Sequence, residues 1–271
     1  MTETESRHDT DPGTQDPGAR RPRSGSNRLW SEWIKPFLMV LVAVGSLRSA
    51  VADWNDVPTG SMRPTILEGE RIFVNKLAYD LKVPFTRLRV MEWDEPGRGD
   101  VVVLYSPADG KRLVKRVVGI PGDVVAMRDG RLYVNGEAAD YQPLQVSDRT
   151  ALGLGGEPAE LVVWERIDHR SHPVTWTPFQ PAIRSFGPER VPPGKYYVMG
   201  DNRDNSHDSR FWGTLPREMV KGRALLIYWS FEAPGEAYLA TGLVDRLKGW
   251  GWMLVNFYDK TRKDRFFRLV R

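Results

Sequence analysis

At 271 residues, with 41% hydrophobic and 27% charged side chains, the chain can hold one large domain or two small ones and has an ordinary globular composition. It has no cysteine, which excludes disulfides and thiol nucleophiles. Its four histidines (His8, His169, His172 and His207) form no group with metal-ligand spacing, so no metal and no cofactor is expected. The formal net charge of +4 gathers at the two ends: Arg20, Arg21, Arg23, Arg28 and Lys35 at the start, and Lys260, Arg262, Lys263, Arg265, Arg268 and Arg271 at the finish. This suits an anionic membrane surface, and the lack of a zinc-finger or RNA-recognition motif argues against nucleic acid.

Residues 1–29 are polar and cannot bury enough apolar surface to order themselves, so a disordered tail is expected there. An apolar segment follows, and 30–54 is expected to be a membrane anchor. Its uncharged stretch between Lys35 and Arg48 is short against the ~20 residues a span needs, and it works if Arg48 snorkels or faces protein. Two other readings stand beside it. Ala50-Val51-Ala52 is a small-x-small sequence after an apolar run, as in a cleavable secretory signal, and the segment could be a buried core helix. With basic residues before the span, the N-terminus stays cytoplasmic and everything after Asp53 is exported.

Short β-rich runs come next: Arg71–Asn75, Val101–Tyr105, Leu113–Val118 and Arg131–Val134, with turns at Pro96–Gly99, Ala108–Gly110, Pro121–Asp123 and Asp129–Gly130. Residues 140–190 are irregular and rich in Pro, Trp and His, and are expected to form an inserted second β region. Tyr196–Gly200 and Arg223–Ser230 resume the strand pattern. The expected division is a catalytic β core of 55–139 and 191–231, the insertion, and an amphipathic tail of 232–271 that packs on the core or lies on the membrane interface.

Three segments carry chemistry. In Pro58–Thr65, Gly60 permits a tight turn and Pro58 stiffens the approach, and such a turn can expose the Ser61 hydroxyl and aim a backbone N–H at a developing oxyanion. A serine needs a base, and His207 and Lys115 are the rivals. Strand alternation places Lys115 and Arg116 on opposite faces, so one of them points inward. A lysine in water, with pKa about 10.4, is useless as a base near neutrality, but burial brings it to roughly 7–8. The third segment, Gly200–Gly213, offers Ser206, whose hydroxyl can orient the Lys115 amine. There Asp201 and Asp208 can pair with Arg116 and Arg210 to brace the loop.

Four segments in order, Pro58–Thr65, Gly69–Tyr79, Arg98–Asp123 and Gly200–Gly213, make the chain resemble the bacterial type I signal peptidases, the leader peptidase family of serine/lysine proteases, from about Trp30 to Phe231. The resemblance implies Ser61 as acylating nucleophile, Lys115 as general base, Ser206 as the group orienting that lysine, and Thr59 with the Ser61 N–H as the oxyanion site. It implies a mostly β fold with a barrel-like catalytic core and an inserted second small β region, preceded by one transmembrane helix. It also implies single-pass placement in the bacterial inner membrane, with the catalytic domain on the outer face. The implied substrates are exported preproteins cut after small-x-small (Ala-x-Ala) sites, extended along an exposed strand. Val57, Pro58, Met62, Ile66, Ile72, Val103 and Val114 are candidates for the shallow apolar wall that rejects large side chains. The alternatives are a self-cleaving repressor, which needs an N-terminal helix-turn-helix that 1–53 lacks, a Ser-His-Asp enzyme using His207, and an anchored β-barrel binding module.

Overall fold

A computed structural model describes residues 30–86, 88–152, 161–232 and 255–271. It divides into two compact units, Met1–Gly45 and Ser46–Arg271. The expected disordered tail, 1–29, lies outside the described residues, as does most of the expected amphipathic tail.

Trp30–Ala50 is one helix of 21 residues with mean hydropathy 1.3, long and apolar enough to cross a membrane. It starts as a π-helical turn, Trp30–Ile34, and continues as α1 (Lys35–Ala50). Phe37, Leu38, Met39, Val40, Leu41, Val42 and Val44 are all exposed, which is the opposite of a buried core helix. The helix stops short of the expected anchor boundary, because Ala52 already begins a paired strand. Lys76 Nζ donates to the carbonyls of Arg48 (2.7 Å) and Ser49 (2.8 Å), meeting two of the carbonyls that a helix end leaves open. Arg48 faces protein: its Nε donates to Asp53 (3.1 Å), and its guanidinium lies over the Trp54 ring at 4.3 Å.

The rest is mostly β. In chain order the strands are β1 (Ala52–Val57), β2 (Glu70–Asn75), β3 (Asp80–Lys82), β4 (Arg89–Glu92), β5 (Val101–Tyr105), β6 (Arg112–Gly119), β7 (Val124–Arg128), β8 (Arg131–Val134), β9 (Glu137–Ala138), β10 (Asp140–Pro143), β11 (Leu161–Ile167), β12 (Arg170–Trp176), β13 (Phe186–Arg190), β14 (Lys195–Met199), β15 (Leu215–Pro216), β16 (Val220–Ser230) and β17 (Arg268–Leu269). The main sheet runs β1-β2-β16-β5-β6-β14-β15, with β17 on β16. The expected barrel does not close: the path ends at β1 and β15, and β14 pairs with β6 only from Arg116 to Gly119. The Arg112–Lys115 half of β6 is therefore paired on one side only, with β5.

β7, β8 and β9, expected within the core stretch, pair with β13 in a sheet of their own, and β10, β11 and β12 form a third. Val57, Met62, Ile66, Ile72, Val74, Val101, Val103, Ala224, Ile227 and Val270 make one apolar cluster. It lies under the loop between β1 and β2, where the nucleophile candidate sits. Val270 comes from the C-terminal segment, whose β17 pairs Leu269 with Leu226, so this end of the tail packs on the core.

Candidate active site

The β1–β2 loop turns sharply after β1 into a one-turn 3-10 helix, Gly60–Met62. A Cβ at Gly60 would lie 2.0 Å from a Glu68 carboxylate oxygen, so a larger residue there would have to displace the Glu68 side chain. Further along, Arg63 N–H donates to the Gly60 carbonyl (3.1 Å) and Ile66 N–H to the Met62 carbonyl (2.9 Å), so the loop is a run of hydrogen-bonded turns. Ser61 is half-buried, and Pro58 and Thr59 are exposed. Thr59 makes no capping hydrogen bond with its side chain.

Lys115, in the middle of β6, reaches this turn: its Nζ lies 2.5 Å from Ser61 Oγ. Only 2% of the residue is exposed. Burial, opposed by the charges of Asp208 and Asp201 and aided by Arg210, pulls its amine down to about 8. Alternation led to the expectation that one of Lys115 and Arg116 faces inward, but both are buried, because the far face of β6 is also covered. There Arg116 donates to Asp201 through Nε (2.8 Å) and Nη2 (2.7 Å) and to the Gly99 carbonyl (2.8 Å).

The loop after β14 closes the site. Asn202 donates from its backbone to the Ser61 carbonyl (3.1 Å) and from its side chain to the Gly60 carbonyl (3.1 Å), and Thr65 Oγ1 donates to Asp201. Asp208 accepts from Gly200 N–H (2.9 Å), Ser206 Oγ (2.7 Å) and Arg210 Nη2 (2.8 Å). Burial alone would raise the carboxyls of Asp201 and Asp208. The guanidiniums of Arg116 and Arg210 outweigh it and hold both below the usual carboxylate range.

The expected Ser206–Lys115 bond is replaced. The Ser206 hydroxyl is turned to Asp208, a stronger, charged acceptor, and forms no hydrogen bond with Lys115. His207, the rival base, is exposed and stacks on Phe211 with ring centroids 4.8 Å apart.

A profile described as "Signal peptidase, peptidase S26" matches residues 30–229. The chain belongs to the peptidase S26 signal peptidase family. It is 37% identical to Signal peptidase I of Pseudomonas fluorescens over 223 residues, which is 78% of this chain and 76% of that one. Signal peptidase I of Pseudomonas aeruginosa is 35% identical over 222 residues, 76% of this chain and 75% of its own. Signal peptidase I S of Bacillus subtilis is 32% identical over 201 residues, 74% and 89% of the two chains. Like the rest of the peptidase S26 signal peptidases, the chain is therefore a protease.

Of the seven candidate wall residues, only Pro58 and the half-buried Val114 have surface to offer a peptide. Met62, Ile66, Ile72 and Val103 are fully buried and Val57 nearly so. All five belong to the apolar cluster under the β1–β2 loop, which leaves them almost no surface for a peptide. The groups that sequence reasoning missed are Asn202, Thr65, Glu70 and Arg265. Asn202 and Thr65 lie in recognised segments but were given no role there. Glu70 and Arg265 are 195 positions apart, and no local pattern links them.

Proposed function

We propose that this protease removes N-terminal signal peptides from exported preproteins after small-x-small sites of the Ala-x-Ala kind, through an acyl-enzyme on Ser61. The observation that carries the reading is the buried Lys115 amine against Ser61 Oγ. In its neutral form the amine takes the hydroxyl proton as Oγ attacks the scissile carbonyl. The oxyanion is received by the Ser61 N–H, in a first helical turn where N–H groups lack intrahelical partners, and by the unengaged Thr59 hydroxyl. Lys115 then gives its proton to the departing amine, which carries the mature N-terminus away. Finally it deprotonates the water that frees the signal peptide from Ser61.

Two free strand edges support an extended substrate. β1 and β6 are linked through four antiparallel pairings, so they run in the same direction, and both lead to Ser61. Among the described residues β1 pairs only with β2, and Arg112–Lys115 of β6 only with β5, while the Arg112 and Asn55 side chains hydrogen-bond to each other across the gap. A peptide entering there gains backbone hydrogen bonds, and its alternate side chains meet Pro58, Val114 and the packed wall behind them. Asp201, Arg116, Asp208 and Arg210 brace the loop that holds Ser61 and Lys115 together, and Ser206 fixes Asp208 opposite the amine.

The basic N-terminal residues support a cytoplasmic N-terminus and catalysis on the outer face of the inner membrane. The β3–β4 hairpin supports work at the lipid surface. Its Phe85, Leu88, Val90, Met91 and Trp93 are exposed, and the Phe85 N–H donates to Ser49 Oγ in the last turn of α1 (2.6 Å). The test is cleavage of an Ala-x-Ala preprotein in detergent. Ser61→Ala and Lys115→Ala abolish it and His207→Ala retains it; loss with His207→Ala alone would reassign the base.

A further inference from the structure

The C-terminal segment does more than cover apolar surface. Arg265, on a 3-10 turn (Lys263–Arg265), has no exposed surface. Its Nη2 donates to the Thr65 carbonyl (2.9 Å) and to Glu70 Oε2 (3.0 Å), its Nη1 to the Leu152 carbonyl (2.6 Å), and its Nε to Glu70 Oε1. Glu70 Oε2 also accepts from the Leu67 N–H (2.9 Å), and Arg262 Nη1 donates to the Glu68 carbonyl (3.2 Å). Val270 belongs to the apolar cluster that includes Met62 and Ile66. The loop that carries Ser61 is thus held by two separate stretches of chain, by Asp201 and Asn202 after β14 and by the C-terminal segment.

A buried cation is costly, and an apolar side chain would fill the same space with less desolvation. What the guanidinium fork adds is simultaneous contact with two backbone carbonyls and a carboxylate from separate stretches of chain. One of those carbonyls, Thr65, is four residues past the nucleophile and is joined to it by the turns that link Ile66 to Met62 and Arg63 to Gly60. We propose that Arg265 is a positioning residue for the cleavage step, setting through Thr65 and Glu70 the place of Ser61 Oγ against Lys115. This rests on the reading of Ser61 as nucleophile. Displacing a reacting atom by about 1 Å costs on the order of 100-fold in rate.

The experiment uses the full chain in detergent and an Ala-x-Ala preprotein. Two variants are compared with wild type. Arg265→Lys keeps the charge and loses the fork, and Arg265→Met with Glu70→Gln leaves no buried charge unpaired. Both are expected to melt cooperatively, with kcat down about 10-fold to 100-fold and KM within about 3-fold. The acid limb of the rate profile is expected to stay at the wild-type pH, since Arg265 does not touch Lys115. Wild-type kcat in either folded variant overturns the proposal. So does failure of both to fold, which would make Arg265 a determinant of the fold rather than of the loop. Ser61→Ala, run alongside, tests the nucleophile separately: retained cleavage there would defeat the underlying reading whatever Arg265 does.

Discussion

Lys115 Nζ and Ser61 Oγ stand 2.5 Å apart although 54 positions separate them in the chain. Their contact joins the middle of β6 to the turn after β1. The amine there is shielded from water and flanked by two carboxylates, each already engaged by an arginine.

The first consequence concerns rate and pH. Burial pulls the Lys115 amine down to about 8, and in the proposed mechanism only the neutral amine accepts the Ser61 proton. The rate kcat/KM should rise tenfold per pH unit below about 8 and level off above it. A pH series with a model preprotein checks this; a wild-type profile flat from pH 5 to 9 would exclude Lys115 as the base.

The same amine makes stability depend on pH. Its folded value lies below its ordinary 10.5, so between about 8 and 10.5 the unfolded chain binds the extra proton and stability rises with pH. Below 8 the folded protein buries an ammonium and bears the whole penalty, on the order of 3 kcal/mol. Lys115→Met should therefore be more stable than wild type at pH 6, and the gap should shrink as pH climbs to 10. Denaturant melts of both proteins in detergent at those values measure it. A difference that does not change with pH would contradict the burial argument.

Gly200 leaves no room for a side chain. A Cβ there would come within 2.3 Å of Ser206 Oγ and 2.4 Å of the Ser61 carbonyl oxygen. Gly200→Ala is expected to push the two loops apart, costing about 1–3 kcal/mol of stability and most of the activity. Melting and cleavage assays on this single variant report both; an active, equally stable protein would mean that the loops yield freely.

Ala50-Val51-Ala52 should survive intact. Ala52 is paired with Asn75 in β1, about 17 Å of strand before Val57, so it cannot reach Ser61 in its own chain. N-terminal sequencing of wild type and Ser61→Ala should give identical starts upstream of this segment. A wild-type chain beginning at Asp53, with the variant uncut, would point to cleavage of one molecule by another.

Local chemistry made much of this readable in advance. The strand Val101–Tyr105 was expected at its observed bounds, because β-branched runs between Gly and Asp turns have few other solutions. Asp201 and Asp208 were offered as partners of Arg116 and Arg210 from their charges, and the structure pairs Asp201 with Arg116 and Asp208 with Arg210. Residues 140–190 were expected to be a β region, but its individual strands were not legible: Pro143 and Pro173 sit inside β10 and β12, where proline argues against a strand.

Residue types and their order along the chain determined the family, the mostly β composition and the apolar N-terminal helix, and left Lys115 and His207 as rival partners for Ser61. Tertiary structure alone decided that Lys115 and not His207 meets Ser61, that the sheet stays open, that both Lys115 and Arg116 are buried, that Ser206 turns to Asp208, and that Arg265 reaches the loop that carries Ser61. The reason is physical. Propensity and alternation act over a few residues, whereas burial, acceptor choice and closure depend on which distant segment arrives to cover a given face.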